Sequence, residues 1–195
     1  HEFKRNRLNT LNSFINFIRF VKGLDCNQVL LVSGSQKRST LDSVTTLSSI
    51  NDINLFSKGD FSIGVAFNPY LPSFLFDEEI IKLEKKLKSG VVRSIWIQFG
   101  TDFNMLENRM KLLRKKISSF EKDNLYKSRI KLFGSILIPS KQFLTRFKYR
   151  PWKGVYCSDQ FLGSVDIASE LVKNLLKIYN KYQICPIIET QVTTE

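Results

Sequence analysis

Apolar residues recur along the chain in two alternating rhythms. Residues 8–22 (LNTLNSFINFIRFVK) place Leu8, Leu11, Phe14, Ile15, Ile18 and Val21 at helical spacing, with Gly23 as the C-cap. Residues 28–33 (QVLLVS) form a short, nearly continuous apolar run, the pattern of a buried parallel strand. The two patterns then trade places. Residues 40–50 predict a helix rich in Ser and Thr, and FSIGVAF (61–67) predicts a second strand. After the loop NPYLP (68–72), Asp77 is placed to cap a helix from 78 to about 89 that ends at Ser89-Gly90. The strand VRSIWIQF (92–99), a helix over about 103–121 and the strand KLFGSILIP (131–139) follow. Residues 140–160 read as irregular, with one short strand at 154–158. A helix over about 164–181 and the strand ICPIIE (184–189) complete the pattern.

Strands separated by helices at this spacing predict βα units and a parallel sheet. No repeat and no low-complexity linker divides the chain, so residues 1–195 read as one α/β domain. Two architectures fit: a doubly wound sheet, or part of a (β/α)8 barrel. A whole barrel takes ~250 residues. The 195 residues here would supply five of the eight strands.

Composition narrows the class but not the function. An apolar share of 43%, with 9 Gly and 5 Pro, is globular rather than disordered. The net charge of +12 suits anionic partners: nucleic acid, a membrane surface, phosphates or polyglutamates. The basic residues fall in short clusters: Lys4-Arg5-Arg7, Lys85-Lys86-Lys88, Lys111-Arg114-Lys115-Lys116 and Arg146-Lys148-Arg150-Lys153. Scattered in this way they read as a generally basic surface rather than a nucleic-acid face. Cys26, Cys157 and Cys185 are far apart and odd in number, which points to neither a disulfide framework nor a zinc site. That usage fits a reducing, cytoplasmic setting. No segment reaches the ~18 apolar residues of a membrane span.

Several residues stand out for chemistry. Lys82, Lys85 and Lys86 share one face at i, i+3, i+4, opposite Phe76, Ile80, Leu83 and Leu87. A solvated face explains them without a ligand; a phosphate-binding face is the alternative. Gln98 ends an apolar strand at its carboxyl end, where barrel enzymes place their chemistry. Asp102 reads as the N-cap of the next helix, and Trp96 and Trp152 as packing residues. Cys157 has no base beside it in the sequence that would make it a nucleophile. Ser33-Gly34-Ser35, followed by Lys37-Arg38, lacks the GxxxxGK[ST] spacing of a phosphate loop.

Taken in order, the pieces resemble the methylenetetrahydrofolate reductases, which are flavin-binding (β/α)8 barrels. His1, the first helix and Gly23 resemble the family's H-[LM]-T-C strand end, third helix and terminal Gly-[IL]. VLLVSGS (29–35) stands where the family has a strand ending in L-R-G-D. FSIGVAFNPYLP (61–72) resembles [FI]-x-I-x-V-A-x-Y-P-E-x-H-P, and EEIIKLEKKLKSG (78–90) resembles D-x-x-x-L-x-x-K-x-x-A-G. IWIQF with Asp102 resembles I-T-Q-x-F-F-D, GSILIP (134–139) resembles P-G-I-x-P, and ETQ (189–191) stands where the family has the end of H-F-Y-T-x-N.

The resemblance implies strands four to eight of the barrel with the end of strand three, the family's first-strand glutamate lying outside the chain. It implies reduction of 5,10-methylenetetrahydrofolate to 5-methyltetrahydrofolate by NAD(P)H through FAD, in one-carbon and methionine metabolism. By the same resemblance, His1, Gly34, Ala66, Asn68, Lys85 and Lys86 contact the flavin cofactor, the two lysines neutralising its diphosphate. Gln98 reads the pterin edge of the folate, and Ser35 takes the catalytic position that the family gives to an acid. The folate is a small-molecule partner, no membrane partner is implied, and a homo-oligomer is allowed. Ser33 and Ser35 replace the family's Arg and Asp, Asn68 its Tyr and Tyr70 its Glu, and the loop's histidine is absent. These departures keep a second reading open: a non-catalytic or repurposed barrel that binds folate or another anionic ligand.

Overall fold

The computed structural model describes residues 7–32, 42–50, 61–123 and 129–189. Each apolar run becomes a strand of one parallel sheet: β1 (Gln28–Leu31), β2 (Ser62–Phe67), β3 (Val92–Ile97), β4 (Lys131–Leu137) and β5 (Ile184–Glu189). The strands lie side by side in chain order, β1-β2-β3-β4-β5, and every adjacent pair is parallel. A doubly wound sheet reverses its strand order at a switch point. No reversal occurs among these five strands. Right-handed connections between sequential parallel neighbours bring the helices to one face, an arrangement compatible with part of a barrel.

The helices are α1 (Arg7–Gly23), α2 (Ser43–Ile50), α3 (Ser73–Lys88), α4 (Phe103–Asp123), α5 (Lys141–Tyr149), α6 (Asp159–Gly163) and α7 (Val165–Lys181). Strand register sorts the sheet into two faces. Val65, Ile95 and Leu132 align across one, as do Phe67, Ile97 and Gly134. This face meets the helices: the Phe76 ring of α3 lies 6.0 Å from that of Phe67, and Tyr179 of α7 lies over Gly134. A Cβ on Gly134 would sit 2.4 Å from the Tyr179 ring, so glycine is what lets α7 approach β4. Ile63, Val65, Ile95 and Ile97 are at most 1% exposed, and burying each such side chain contributes about 1.5–3 kcal/mol.

The opposite face carries Leu30, Gly64, Ala66, Ser94, Trp96, Phe133 and Ser135. Trp96 and Phe133 are half-buried and pack on each other at 4.8 Å, and the Trp96 indole N–H donates to Ser94 Oγ at 3.1 Å.

Three local expectations change. The α3 helix starts at Ser73, not 78, with Pro72 rather than Asp77 at its N-cap. Proline fixes φ there, and Phe76 needs a full first turn to reach Phe67. Gly23 ends α1, but the left-handed residue of the turn is Asp25, at φ 57°. The stretch 140–160 holds α5 and the start of α6, with irregular chain between them: Ser140 caps α5 by accepting from Phe143 N–H at 3.1 Å, and Ser158 caps α6 by accepting from Phe161 N–H at 3.2 Å. The short strand expected at 154–158 is a single bridge between Tyr156 and Gly100.

Candidate functional site

The carboxyl ends of β1 and β2 and the helices beside them enclose a cleft of about 300 Å³ lined by Val32, Asp42, Ala66, Glu79, Lys82 and Lys86, among others. Its charged groups come from two helices. Asp42 precedes α2 and caps it, accepting from Thr45 N–H at 2.7 Å. Burial pushes the Asp42 carboxyl up, but hydrogen bonds from Thr45 and Val44 and the charge of Lys86 outweigh it and hold it below its ordinary value. Glu79, Lys82 and Lys86 recur along α3 at i, i+3 and i+7, a stripe on one side of the helix.

Lys86 is the unusual member. The sequence puts it with Lys82 and Lys85 on one solvated face, yet it is only 7% exposed. Its position turns it inward with Leu83 and Leu87, and its Nζ donates to the Ala66 carbonyl at 3.4 Å. Burial lowers its pKa below the ordinary lysine value; Glu79 and Asp42 oppose that shift, and Lys82 adds to it. Lys85 points to solvent and does not line the cleft. Lys82 lines it while pairing with Glu78 at 3.6 Å.

The loop after β2 is braced from several sides. Asn68 accepts from Tyr70 N–H at 2.9 Å through Oδ1 and donates from Nδ2 to the Gly154 carbonyl at 2.9 Å. Its own N–H donates to Glu79 at 3.3 Å. Arg109 of α4, buried, donates to the carbonyls of Pro69 and Leu71, both at 2.5 Å, with its guanidinium 3.9 Å over the Phe76 ring. Both polar ends of the Asn68 side chain are thus engaged by backbone.

Gln98 follows β3 directly and continues the alternation of Ser94 and Trp96 onto the open face. Its N–H donates to the Phe67 carbonyl at 2.9 Å, and the residue is half-buried. Ala66 is half-buried on the same face of β2. His1, Gly34 and Ser35 lie outside the described residues, as does the rest of the Ser33–Arg38 loop. Lys86 therefore meets the Ala66 carbonyl at the cleft, while the Ala66 and Gln98 side chains lie on the open face.

Other candidates fall to structural roles. Asp102 caps α4, accepting from Met105 N–H at 2.9 Å. Trp152 packs against Phe143 and Phe147, at 5.5 and 6.0 Å. Burial pushes the Cys157 thiol up to about 12, which leaves it protonated at neutral pH and unfit as a nucleophile. Among the described residues no group of His, Cys, Asp and Glu could hold a metal, and no helix is long and apolar enough to cross a membrane. Sequence reasoning passed over Asp42, Glu79 and Arg109. The signal for the first was an Asp before S-V-T-T, an N-cap pattern; for the second it was the i, i+3, i+7 stripe.

No protein-family model matches the chain, and no curated protein matches it.

Proposed function

We propose that the chain forms part of a (β/α)8 barrel acting as a methylenetetrahydrofolate reductase-like oxidoreductase in the cytoplasm. The observation that carries this reading is the cleft itself: two lysines and Ala66 converge at the carboxyl ends of sequential parallel strands, the end where barrels place their sites.

The cleft is compatible with the diphosphate of FAD. Two carboxylates, Asp42 and Glu79, share the cleft with Lys82 and Lys86; an anion would compete with Glu78 for Lys82 and with the Ala66 carbonyl for Lys86. Flavin, when bound, supplies hydride transfer between NAD(P)H and the folate. The chain's own residues bind and orient: Lys86 gains a counter-charge that offsets its burial, Ala66 offers little bulk beside the sheet, and Gln98 presents an amide to a ring edge. Ser35, in place of a carboxylate, favours a second reading in which the barrel binds folate or another anionic ligand without turnover.

The deciding experiment measures bound flavin in the purified protein and NAD(P)H oxidation dependent on methylenetetrahydrofolate. Flavin lost in Lys86→Met and a raised folate KM in Gln98→Ala are the expected outcomes. Stabilisation by folate without turnover selects the second reading. Absence of flavin, turnover and folate stabilisation together overturns both.

A further inference from the structure

One basic cluster is not used by the cleft. Lys141, Arg146, Lys148, Arg150 and Lys153 lie on and just after α5, and no Asp or Glu occurs between residues 129 and 158. Four lysines elsewhere pair with carboxylates: Lys82 with Glu78, Lys116 with Glu84, Lys173 with Glu170 and Lys181 with Glu107. Among the described residues none of the α5 cations has a carboxylate within ion-pair distance, and all are exposed. Like charges held together without acids make a surface of positive potential.

Charge alone is commonly just a solvated face; the aromatic residues distinguish this one. The apolar stripe Phe143, Leu144 and Phe147 turns inward, leaving Arg146 and Tyr149 outward. Tyr149 is 92% exposed. Trp152, 38% exposed, is anchored edge-on against Phe143 and Phe147 and offers the rest of its ring to solvent. A shallow depression of about 640 Å³ lies along Lys141, Gln142, Thr145, Arg146 and Tyr149.

We propose that this surface binds single-stranded nucleic acid, with phosphates on the cations and a base stacked on Tyr149. An anionic membrane fits less well, because the helix turns its aliphatic and phenyl groups inward and has little to insert. A duplex fits less well, because stacking on tyrosine needs an unpaired base. This activity goes beyond the reductase reading and does not depend on it.

The test is fluorescence anisotropy with fluorescein-labelled oligothymidylate and oligouridylate at several salt concentrations. Four or five phosphate contacts give a slope of log K against log salt of about −3, from about −0.7 per contact on single strands. The double variant Arg146→Glu/Lys148→Glu is expected to weaken binding at least tenfold and flatten that slope. Tyr149→Ala is expected to weaken it about tenfold with the slope kept, the signature of a lost stack. Lys177→Glu, exposed on α7, leaves binding unchanged. Far-UV circular dichroism confirms that each variant is folded. The proposal is overturned by unchanged affinity in the double variant, or by an equal loss in Lys177→Glu. Duplex binding that ignores Tyr149→Ala also overturns it, as does phosphatidylserine-vesicle binding without oligonucleotide binding.

Discussion

On the helix-covered face of the sheet Ile63, Val65, Ile95 and Ile97 are at most 1% exposed, whereas on the opposite face Leu30 is 40% exposed and Trp96 and Phe133 are only half-buried. The same strands supply both faces, one residue apart. The covered face is close-packed aliphatic surface, and stability resides there. The open face mixes small residues (Gly64, Ala66, Ser94) with two aromatics and Gln98, and the candidate chemistry borders it. In a closed barrel that second face is the interior, filled by layers of side chains. In five strands it is the face that a ligand, or further strands, would meet.

The largest expected contrast is between neighbouring residues of β3. Ile97→Ala removes a side chain with 1% exposure from the covered face and should cost about 2–5 kcal/mol in urea unfolding. Trp96→Ala removes a larger side chain from the open face but loses its contact with Phe133 and its hydrogen bond to Ser94 Oγ, together about 1–3 kcal/mol. Equal losses would mean that the open face is covered in solution, and the comparison would fail.

Two glycines sharpen the same contrast. In Gly134→Ala the new methyl meets Tyr179, itself 1% exposed and tied through its hydroxyl to the Ser135 carbonyl at 3.0 Å. Neither ring nor strand can give way, so about 1–3 kcal/mol should be lost in thermal unfolding. In Gly64→Ala the methyl meets Trp96 Nε1 at 2.6 Å and Ser94 Oγ at 2.7 Å; the half-buried indole can swing aside and the hydroxyl can rotate, so the loss should be smaller.

The order of elements was legible in the sequence because buried parallel strands read as unbroken apolar runs, and β5 (Ile184–Glu189) falls where expected. Helix α3 began early because the strength of Pro72 as a start signal was set by Phe76 reaching Phe67, a contact distant in sequence. The helices within 140–160 were signalled by Ser140 and Ser158, caps that serine's abundance in this chain disguised. The site was less legible. Which of two adjacent lysines turns inward depends on a few tens of degrees of helix rotation, and that is fixed by how α3 packs on α2 and β2.

Lys86 offers a pH test. Its folded-state pKa is lowered, so below that value both folded and unfolded chains carry the proton and the folded state bears the full cost of burying it. Between the folded pKa and the ordinary value of 10.5 the unfolded chain binds more protons, so this residue adds stability as pH rises through that window. The urea midpoint of the wild type relative to Lys86→Met should therefore climb toward pH 10.5. A flat difference would mean that the ammonium reaches water, and that the cleft is more open than its 7% exposure implies.

The smallest effect separates two buried tyrosines. Tyr179 donates its hydroxyl to the Ser135 carbonyl, while the Tyr70 hydroxyl is the one buried side-chain polar atom without a partner among the described residues. Tyr179→Phe should cost about 1 kcal/mol, the net worth of a made hydrogen bond. Tyr70→Phe should be neutral or stabilise by up to about 1 kcal/mol, because it removes a desolvated group that gains nothing in return. Tyr70 is 7% exposed and its ring lies against Gly100, at the end of β3 where Tyr156 bridges the chain. A loss in Tyr70→Phe, read from matched urea titrations, would therefore reveal a partner for that hydroxyl. A buried water or a ligand group there would extend the candidate site from the β1–β2 cleft to the end of β3.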